Sequence, residues 1–418
     1  MRDLGAKLFH SRRDVDFEII LTAGADAPRI ESEAAIRIDS LESWSTPIVA
    51  CTVDTVLGIV QNNRRGLLGW PAFAQSAFVF DEIHAFDDRL FGALLRFLRD
   101  LPGLPVLLMT ASLPKAREDA LRRVLQELRL EAFRQPLVTI PGPSELENLE
   151  RYHRAEGGSS NALSRAAETF AAGGKVLWVC NTVNRVMDAA TRAEALGISP
   201  LIYHSRFRYE DRVAQHKAVI DAFRGNGSAL AICSQVAEMS LDLSADLLVT
   251  DLAPVPALIQ RLGRLNRRAK KGDPTKPYLI IEPECHLPYT LAELVAAHTW
   301  LAELEKIAAT SQSDLAHLWE QTDDQEPALV ASAWLDGGPT TTVTELRDAS
   351  PGISVLMEVD HKAAKERPRD LGRFVLPMPP TPKDMNWKDW PRERGIPVAP
   401  TGTINYDKRR GAQWRRRN

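Results

Sequence analysis

The sequence predicts an α/β protein: parallel sheets in two successive domains, followed by a helical and irregular C-terminal extension. Three observations predict it. Short apolar runs at 176–180, 200–203, 229–233 and 246–251 alternate with helix-period segments at 184–196 and 208–224, the order that βαβ crossovers produce. A second set of short apolar runs, at 47–53, 78–82 and 106–112, is interleaved with the amphipathic stretch Asp88–Asp100 and followed by another at 115–131. Phe78-Val79-Phe80 ends in two adjacent carboxylates, and parallel strands of α/β sheets carry their chemistry at their carboxyl ends.

In chain order, residues 1–46 join an amphipathic start to a charged loop and give weak signals. The first domain spans 1–135. Pro136 to Pro143 mark a linker, and Gly157-Gly158-Ser159-Ser160 a second one that leads into a helix over 162–172. The second domain spans 145–285. The extension, 286–418, opens with one helix at 290–309. From about residue 368 prolines cluster, as in LPMPPTPKD, among Trp387, Trp390 and Trp414; that composition predicts extended or partly ordered chain. The last stretch, 408–418, holds Lys408, Arg409, Arg410, Arg415, Arg416 and Arg417 and no acid. It suits a phosphate backbone, with Trp414 available to stack on a base, and it equally suits a flexible basic end.

Composition narrows the function classes. The 418 residues carry a net charge of −3 with 44% hydrophobic residues, so the chain is globular and is not a basic nucleic-acid coat; any DNA contact is local. Cys51, Cys180, Cys233 and Cys285 lie far apart with no C-x-x-C, which argues against a zinc site or a disulfide framework. No apolar run reaches membrane-spanning length and no signal-type segment opens the chain, so the expected location is cytoplasmic, with no membrane partner.

Three motifs carry chemistry. In FVFDEIH, Asp81 can hold Mg²⁺ through water, Glu82 can orient or deprotonate the water that attacks a nucleoside triphosphate, and His84 can couple the nucleotide to the second domain. Alone, this run also fits a strand ending in a solvated acidic turn. Val106–Ser112 is a second apolar run ending in hydroxyls, Thr110 and Ser112. Finally, QRLGRLNR spaces Gln260, Arg261, Arg264 and Arg267 so that three guanidiniums fall on one face of a helix turn, an arrangement suited to a polyphosphate. A solvated basic face would look the same in isolation.

Together with ACTVDTVL (50–57), DEIHAFD (81–87), MTASLP (109–114), VLWVCNTVNR (176–185), YHSRFRYEDR (203–212) and QVAEMSLDL (235–243), these runs resemble the superfamily 2 helicases of type I CRISPR systems over about residues 40–285. The resemblance implies tandem RecA-like parallel-sheet domains and an ATP-driven, single-strand DNA translocase that uses Mg²⁺ and is recruited by a CRISPR surveillance complex in antiviral defence. It implies that Asp81, Glu82 and His84 act on the nucleotide, and that Thr110 and Ser112 couple the domains. It further implies that Arg264 and Arg267 are arginine fingers supported by Gln260, and that Asp242 sits near the ribose with Gln235 and Glu238 close by. Thr52, Asp54, Thr110, Ser112, Asn181, Thr182, His204, Ser205 and Arg206 would line the DNA track.

Two parts of that family pattern are missing from this sequence. No G-x-x-x-x-G-K-[ST] occurs, although its backbone amides and lysine grip the phosphates in such enzymes. Ala172-Gly173-Gly174-Lys175 lacks the first glycine, is followed by Val176 and precedes a strand, so it reads as the turn into the second domain's first strand. In the family the phosphate loop comes before the TVD element; about fifty residues precede Thr52 here, so the first domain is expected to be incomplete. None of the nine histidines is followed by Asp, so the family's metal nuclease is also not expected here. A separately encoded nuclease, or another segment carrying the phosphate loop, is therefore an expected partner. A catalytically silent DNA-binding or docking module is the alternative reading, and an RNA helicase of the same superfamily a third.

Overall fold

The computed structural model describes residues 6–8, 47–62, 64–128, 131, 136–142, 144–155, 161–321, 326–332, 335–337, 346, 352–382 and 385–415. The chain divides into two compact units. The first comprises 1–140, 323–350 and 394–396, and the second 141–322, 351–393 and 397–418.

In the first unit, β1 (Ala6–Leu8) pairs in parallel with β2 (Ile48–Ala50), and α1 (Val53–Leu57) and α2 (Arg64–Phe73) follow. The next strand, β3 (Phe78–Phe80), pairs in parallel with β4 (Val106–Leu108), joined by α3 (Asp88–Asp100) in a right-sized βαβ crossover. Helix α3 starts at Asp87, whose carboxylate accepts the Leu90 N–H at 2.8 Å, and it buries Leu90, Phe91, Leu94, Phe97 and Leu98. Phe97 meets Phe78 and Phe80 edge-on, with centroids 5.2 and 5.6 Å apart. This aromatic contact fixes the strand whose end carries the DEIH turn. Helix α4 (Lys115–Gln126) is tied to α3 by the nearly buried Arg117, which donates to the Phe86 carbonyl at 2.7 Å and to Asp88 at 3.0 Å.

One segment from the predicted extension closes this unit. Arg96 of α3 is 4% exposed and donates to the Val330 carbonyl at 3.3 Å and to Asp336. The Val330 N–H reaches the Gly92 carbonyl at 3.4 Å, and Ser332 donates to the Val60 carbonyl. Gly92 is required there: a Cβ would lie 2.3 Å from the Ala328 carbonyl oxygen.

The second unit is a six-stranded, wholly parallel sheet. Its strands are β5 (Tyr152–Arg154), β6 (Lys175–Val179), β7 (Leu201–Tyr203), β8 (Ala229–Cys233), β9 (Leu247–Asp251) and β10 (Lys276–Ile281), in the spatial order β5-β10-β9-β6-β8-β7. Strands β8 and β9 are buried along their whole length, as parallel strands covered on both faces must be. The covering helices are α5 (Ala162–Ala171), α6 (Val183–Ala195) and α7 (Tyr209–Arg224). Gly173, at φ +86°, stops α5, and the Lys175 ammonium donates to the Phe223 carbonyl at 2.7 Å, at the last turn of α7. The glycine–lysine run is thus a turn into β6.

The sequence reading missed β5 and β10. β5 is short and polar, and β10 carries Pro277. The predicted extension also needs correction. Helices α10 (Leu291–Leu304) and α11 (Gln312–Glu320) each open with a capping box and pack Trp300, Leu304, Leu315 and Trp319 into the second unit's core. After β11 (Ile353–Met357) and α12 (Glu358–Glu366), the proline-rich stretch, expected to be extended or partly ordered, contains β12 (Val375–Met378), β13 (Arg392–Glu393) and β14 (Ile396–Ala399), with sheet order β12-β11-β14-β13. Val355, Leu356, Leu376 and Val398 are buried, and Pro377 sits on the edge strand β12, where a missing N–H costs least. A hairpin of β15 (Ile404–Asp407) and β16 (Gly411–Trp414) ends the described chain.

Candidate functional site

The first unit holds the carboxylate cluster. Beyond β3 the chain turns sharply: Glu82 has φ 54° and ψ 41°, a left-handed conformation that a residue with a Cβ adopts at a cost of about 1–2 kcal/mol. The Glu82 N–H donates to Asp81 Oδ1 at 2.9 Å, and the Ile83 N–H to the Met109 carbonyl at 3.1 Å, stitching the turn to the chain beyond β4. Asp81 is exposed. Among the described residues no group of three or more His, Cys, Asp or Glu comes together to cage a metal. The exposed Asp81 carboxylate with Glu82 beside it has the chemistry Mg²⁺ takes, since that ion keeps several waters and binds one or two carboxylates beside substrate phosphates.

His84 is 2% exposed and lies between the two predicted motifs. Its Nε2 is 3.3 Å from Glu82 Oε2, and its Nδ1 is 3.2 Å from Thr110 Oγ1. Thr110 in turn donates to the Ser112 carbonyl and accepts the Ser112 N–H at 3.3 Å. Burial lowers the His84 pKa to about 4, with Asp81 pulling it up and Arg117 pushing it down. The neutral ring carries one N–H, which serves Glu82 from Nε2 or Thr110 from Nδ1. The ring thus bridges Glu82 and Thr110. The Ser112 hydroxyl is buried with no partner among the described residues. Thr52 stands at the N-cap position of α1 without a side-chain capping bond, its hydroxyl 3.2 Å from that of Thr55, and Asp54 lies in the first turn of that helix.

The second unit gathers its predicted residues at the carboxyl edge of one sheet. Asn181 and Thr182 follow β6, His204, Ser205 and Arg206 follow β7, Gln235 follows β8, and the arginine run follows β9. Helix α8 (Val236–Ser240) carries Glu238, and α9 (Val255–Leu262) carries Gln260, half-buried.

Here the expectation of three guanidiniums on one helix face is overturned. Helix α9 ends at Leu262, and Asn266, at φ 48°, turns the chain. Arg261 is fully buried. It donates to Glu238 Oε1 at 2.7 and 2.8 Å, to Thr250 Oγ1 at 2.7 Å, to the Asp251 carbonyl at 3.0 Å and to Asn181 Oδ1 at 3.1 Å. It is the hub of a buried polar network. Asp251, also buried, receives Arg185 through two bonds of 2.7 Å and the Asn181 N–H at 2.8 Å. Gln235 joins through the Asn181 carbonyl. Sequence spacing offers no signal that separates Arg261 from its neighbours, and Arg185 was missed for the same reason.

Arg264 and Arg267 behave differently. One Arg264 amino group donates to the Glu238 carbonyl at 2.6 Å, while its Nε is buried with no partner among the described residues. Arg267 lies 3.4 Å from Asp242, both side chains well exposed, a contact worth under ~1 kcal/mol and easily exchanged for a phosphate.

Two predicted DNA-track residues lie inside the domain. The Asn181 amide donates to the Leu252 carbonyl at 2.6 Å. His204 is fully buried, stacks on Phe207, accepts the Arg206 N–H at Nδ1 (3.1 Å) and donates from Nε2 to the Arg410 carbonyl (3.1 Å). Thr182, Ser205 and Arg206 are half-buried and keep exposed atoms. The expected basic tail is partly engaged as well. Arg410 pairs with Glu194, Arg409 donates to Ser199 at 2.6 Å, and Trp414 donates to the Pro379 carbonyl at 3.1 Å.

Burial lowers the His204 pKa to about 3 against an ordinary value of 6.5, so the folded state excludes a proton that the unfolded chain accepts. Stability from this source is complete above pH 6.5 and is lost as pH falls below it, by about 1.4 kcal/mol per pH unit until the folded group also titrates. His84, lowered to about 4, acts in the same direction in the first unit. Thermal unfolding between pH 7 and 4.5 should show falling stability, with a shallower fall for His204→Gln.

The geometry has counterparts among known proteins. Residues 172–270 match the family model described as CRISPR-associated nuclease/helicase Cas3, C-terminal. A Myxococcus xanthus protein, provisionally named a CRISPR-associated nuclease/helicase Cas3, is 46% identical over 420 residues, covering 99% of this chain and 55% of that protein. The Escherichia coli K12 CRISPR-associated endonuclease/helicase Cas3 is 26% identical over 261 residues, 54% of this chain and 29% of that protein. The chain thus spans about half, or less, of the length of these relatives. In structure it is similar to T. fusca Cas3 with AMPPNP (TM-score 0.66, 20% identity, 89% of this chain and 57% of that one). It is similar too to a chain of a CRISPR RNA-guided surveillance complex in a pre-nicking state (TM-score 0.62, 19% identity, 89% and 61%). The fold is that of tandem RecA-like domains. Among the described residues no helix is long and apolar enough to cross a membrane.

Proposed function

Because the chain belongs to the CRISPR-associated superfamily 2 helicases, we propose that it is the motor portion of an ATP-driven single-strand DNA translocase that works with a CRISPR surveillance complex. In this reading Asp81 holds Mg²⁺ through water and Glu82 orients the water that attacks the γ-phosphate. His84 passes the state of Glu82 to Thr110 and Ser112. Arg264 and Arg267 stabilise charge on the transferring phosphoryl group, Gln260 supports them, and Asp242 faces the ribose. Thr182, Ser205 and Arg206 contact the DNA backbone, while Asn181 and His204 brace them from below, and Thr52 and Asp54 serve the strand from the first unit.

The observation that carries the reading is Arg264. A buried guanidinium nitrogen with no acceptor among the described residues, at the carboxyl edge of a parallel sheet, awaits an anion. A metal-bound triphosphate supplies one.

The reading also needs phosphate-gripping backbone amides, which this sequence does not encode as G-x-x-x-x-G-K-[ST]. We expect the 418-residue chain alone to turn over ATP negligibly, with or without single-stranded DNA. Joined to a relative's phosphate-loop segment, it should show DNA-stimulated turnover. Failure of that completed enzyme to hydrolyse ATP would reject the motor reading and favour a DNA-binding module.

A further inference from the structure

Three polar groups of the loop after β7 are answered by the C-terminal hairpin. The His204 Nε2–H donates to the Arg410 carbonyl at 3.1 Å, and the Arg206 carbonyl accepts the Ala412 N–H at 2.8 Å. The Arg208 N–H donates to the Tyr406 hydroxyl at 3.1 Å, and that hydroxyl donates to Asp211 at 2.5 Å. The Arg208 guanidinium lies 4.4 Å over the Tyr406 ring and pairs with Asp360 at 2.9 Å. Gln215 donates to the Lys408 carbonyl at 2.9 Å.

The fit at Gly411 leaves no room for another residue. Its φ is +73°, and a Cβ would stand 2.5 Å from His204 Cε1 and 2.6 Å from the Arg206 carbonyl oxygen. The hairpin backbone therefore fixes the His204 tautomer as Nε2–H and, through Nδ1, the Arg206 amide.

The loop held this way presents one unneutralised cation. Arg206 donates to the neutral Asn184 Oδ1 at 3.1 Å, in the first turn of α6, and burial lowers its pKa to about 10. Among the described residues no carboxylate offsets that burial. The start of α6 adds a positive helix end beside the guanidinium.

We propose that the hairpin Ile404–Trp414 is a positioning element for DNA binding: Gly411 and Tyr406 hold the His204–Arg208 loop so that Arg206 meets a backbone phosphate of the single strand. This rests on the proposed DNA contact of Arg206, and it assigns the hairpin a role distinct from being a basic tail. Two of the hairpin's own cations, Arg410 and Arg409, are engaged with Glu194 and Ser199; its backbone and the Tyr406 side chain position the loop.

The test is fluorescence anisotropy of a labelled oligonucleotide with the 418-residue chain across a salt series. Arg206→Ala should weaken binding about tenfold and reduce the salt slope by about one. Gly411→Val should have the same two effects, and the double variant should be no weaker than Arg206→Ala alone. Tyr406→Phe, which removes one hydroxyl and leaves the ring, should weaken binding in the same direction with an unchanged unfolding midpoint, and stands in if Gly411→Val does not fold. If Arg206→Ala weakens binding while Gly411→Val and Tyr406→Phe do not, or if the losses simply add, the positioning role is wrong and the Arg206 contact stands. If Arg206→Ala binds as wild type does, the DNA contact itself is wrong, and the hairpin's role falls with it.

Discussion

Arg264→Ala should cut ATP turnover of the completed enzyme by roughly 10³-fold, about 4 kcal/mol of transition-state stabilisation, while ATP affinity falls much less. The asymmetry follows from what the guanidinium faces. One amino group is already committed to the Glu238 carbonyl, which fixes the plane of the fork, and the buried Nε has no acceptor among the described residues. Charge on the γ-phosphoryl group grows only as the reaction proceeds, so a donor held in advance is worth most at the transition state. Steady-state kinetics checks this directly: kcat should collapse with KM within a few-fold of wild type. Arg264→Lys should rescue little, because a point charge cannot reproduce the planar fork.

Arg261→Met should instead destabilise the second unit. Arg261 and Glu238 form a buried pair in which the guanidinium also serves Thr250, the Asp251 carbonyl and Asn181. Burial pushes the Glu238 carboxyl up, against the pull of Arg261. Removing the arginine alone leaves that carboxylate buried without its partner and takes a donor from Thr250 Oγ1 and Asn181 Oδ1, a loss of about 3–5 kcal/mol. Urea unfolding should show a lower midpoint that, multiplied by an unchanged slope, corresponds to that loss. Replacing both members, Arg261→Met with Glu238→Leu, should recover much of the stability and no ATP turnover. The two adjacent arginine predictions thus separate cleanly, one in rate and one in stability.

Much of this was legible in the sequence where the signal is local. Strands β6 to β9 are short apolar runs separated by helix-period segments, and their carboxyl ends carry the motif residues, so both the sheet and the edge that matters could be read from spacing. The glycine–lysine turn at 173–175 was legible because a phosphate loop must follow a strand, and this one precedes it. What spacing could not reveal was contact across long separations. Arg261 shares its periodicity with Arg264 and Arg267, and only the fold sets it beneath them. The apolar run at 327–331 carries no signal of where it packs until Arg96 and Gly92 are seen to receive the chain around Val330 and Asp336. His204 looks like a DNA ligand until Arg410 and Gly411, some two hundred residues on, cover it. The proline-rich region reads as partly ordered because composition does not record that Pro377 falls on an edge strand.

Glu82 is where the account is most exposed. It sits in a left-handed turn at the end of β3, within reach of His84, and its carboxylate is assigned to the attacking water. The decisive measurement is DNA-stimulated ATP turnover of the completed enzyme, wild type against Glu82→Gln, with nucleotide binding followed in parallel. The account predicts that Glu82→Gln binds ATP as well as wild type and hydrolyses it at background rate. Turnover by Glu82→Gln near that of wild type, with DNA stimulation intact, would contradict it.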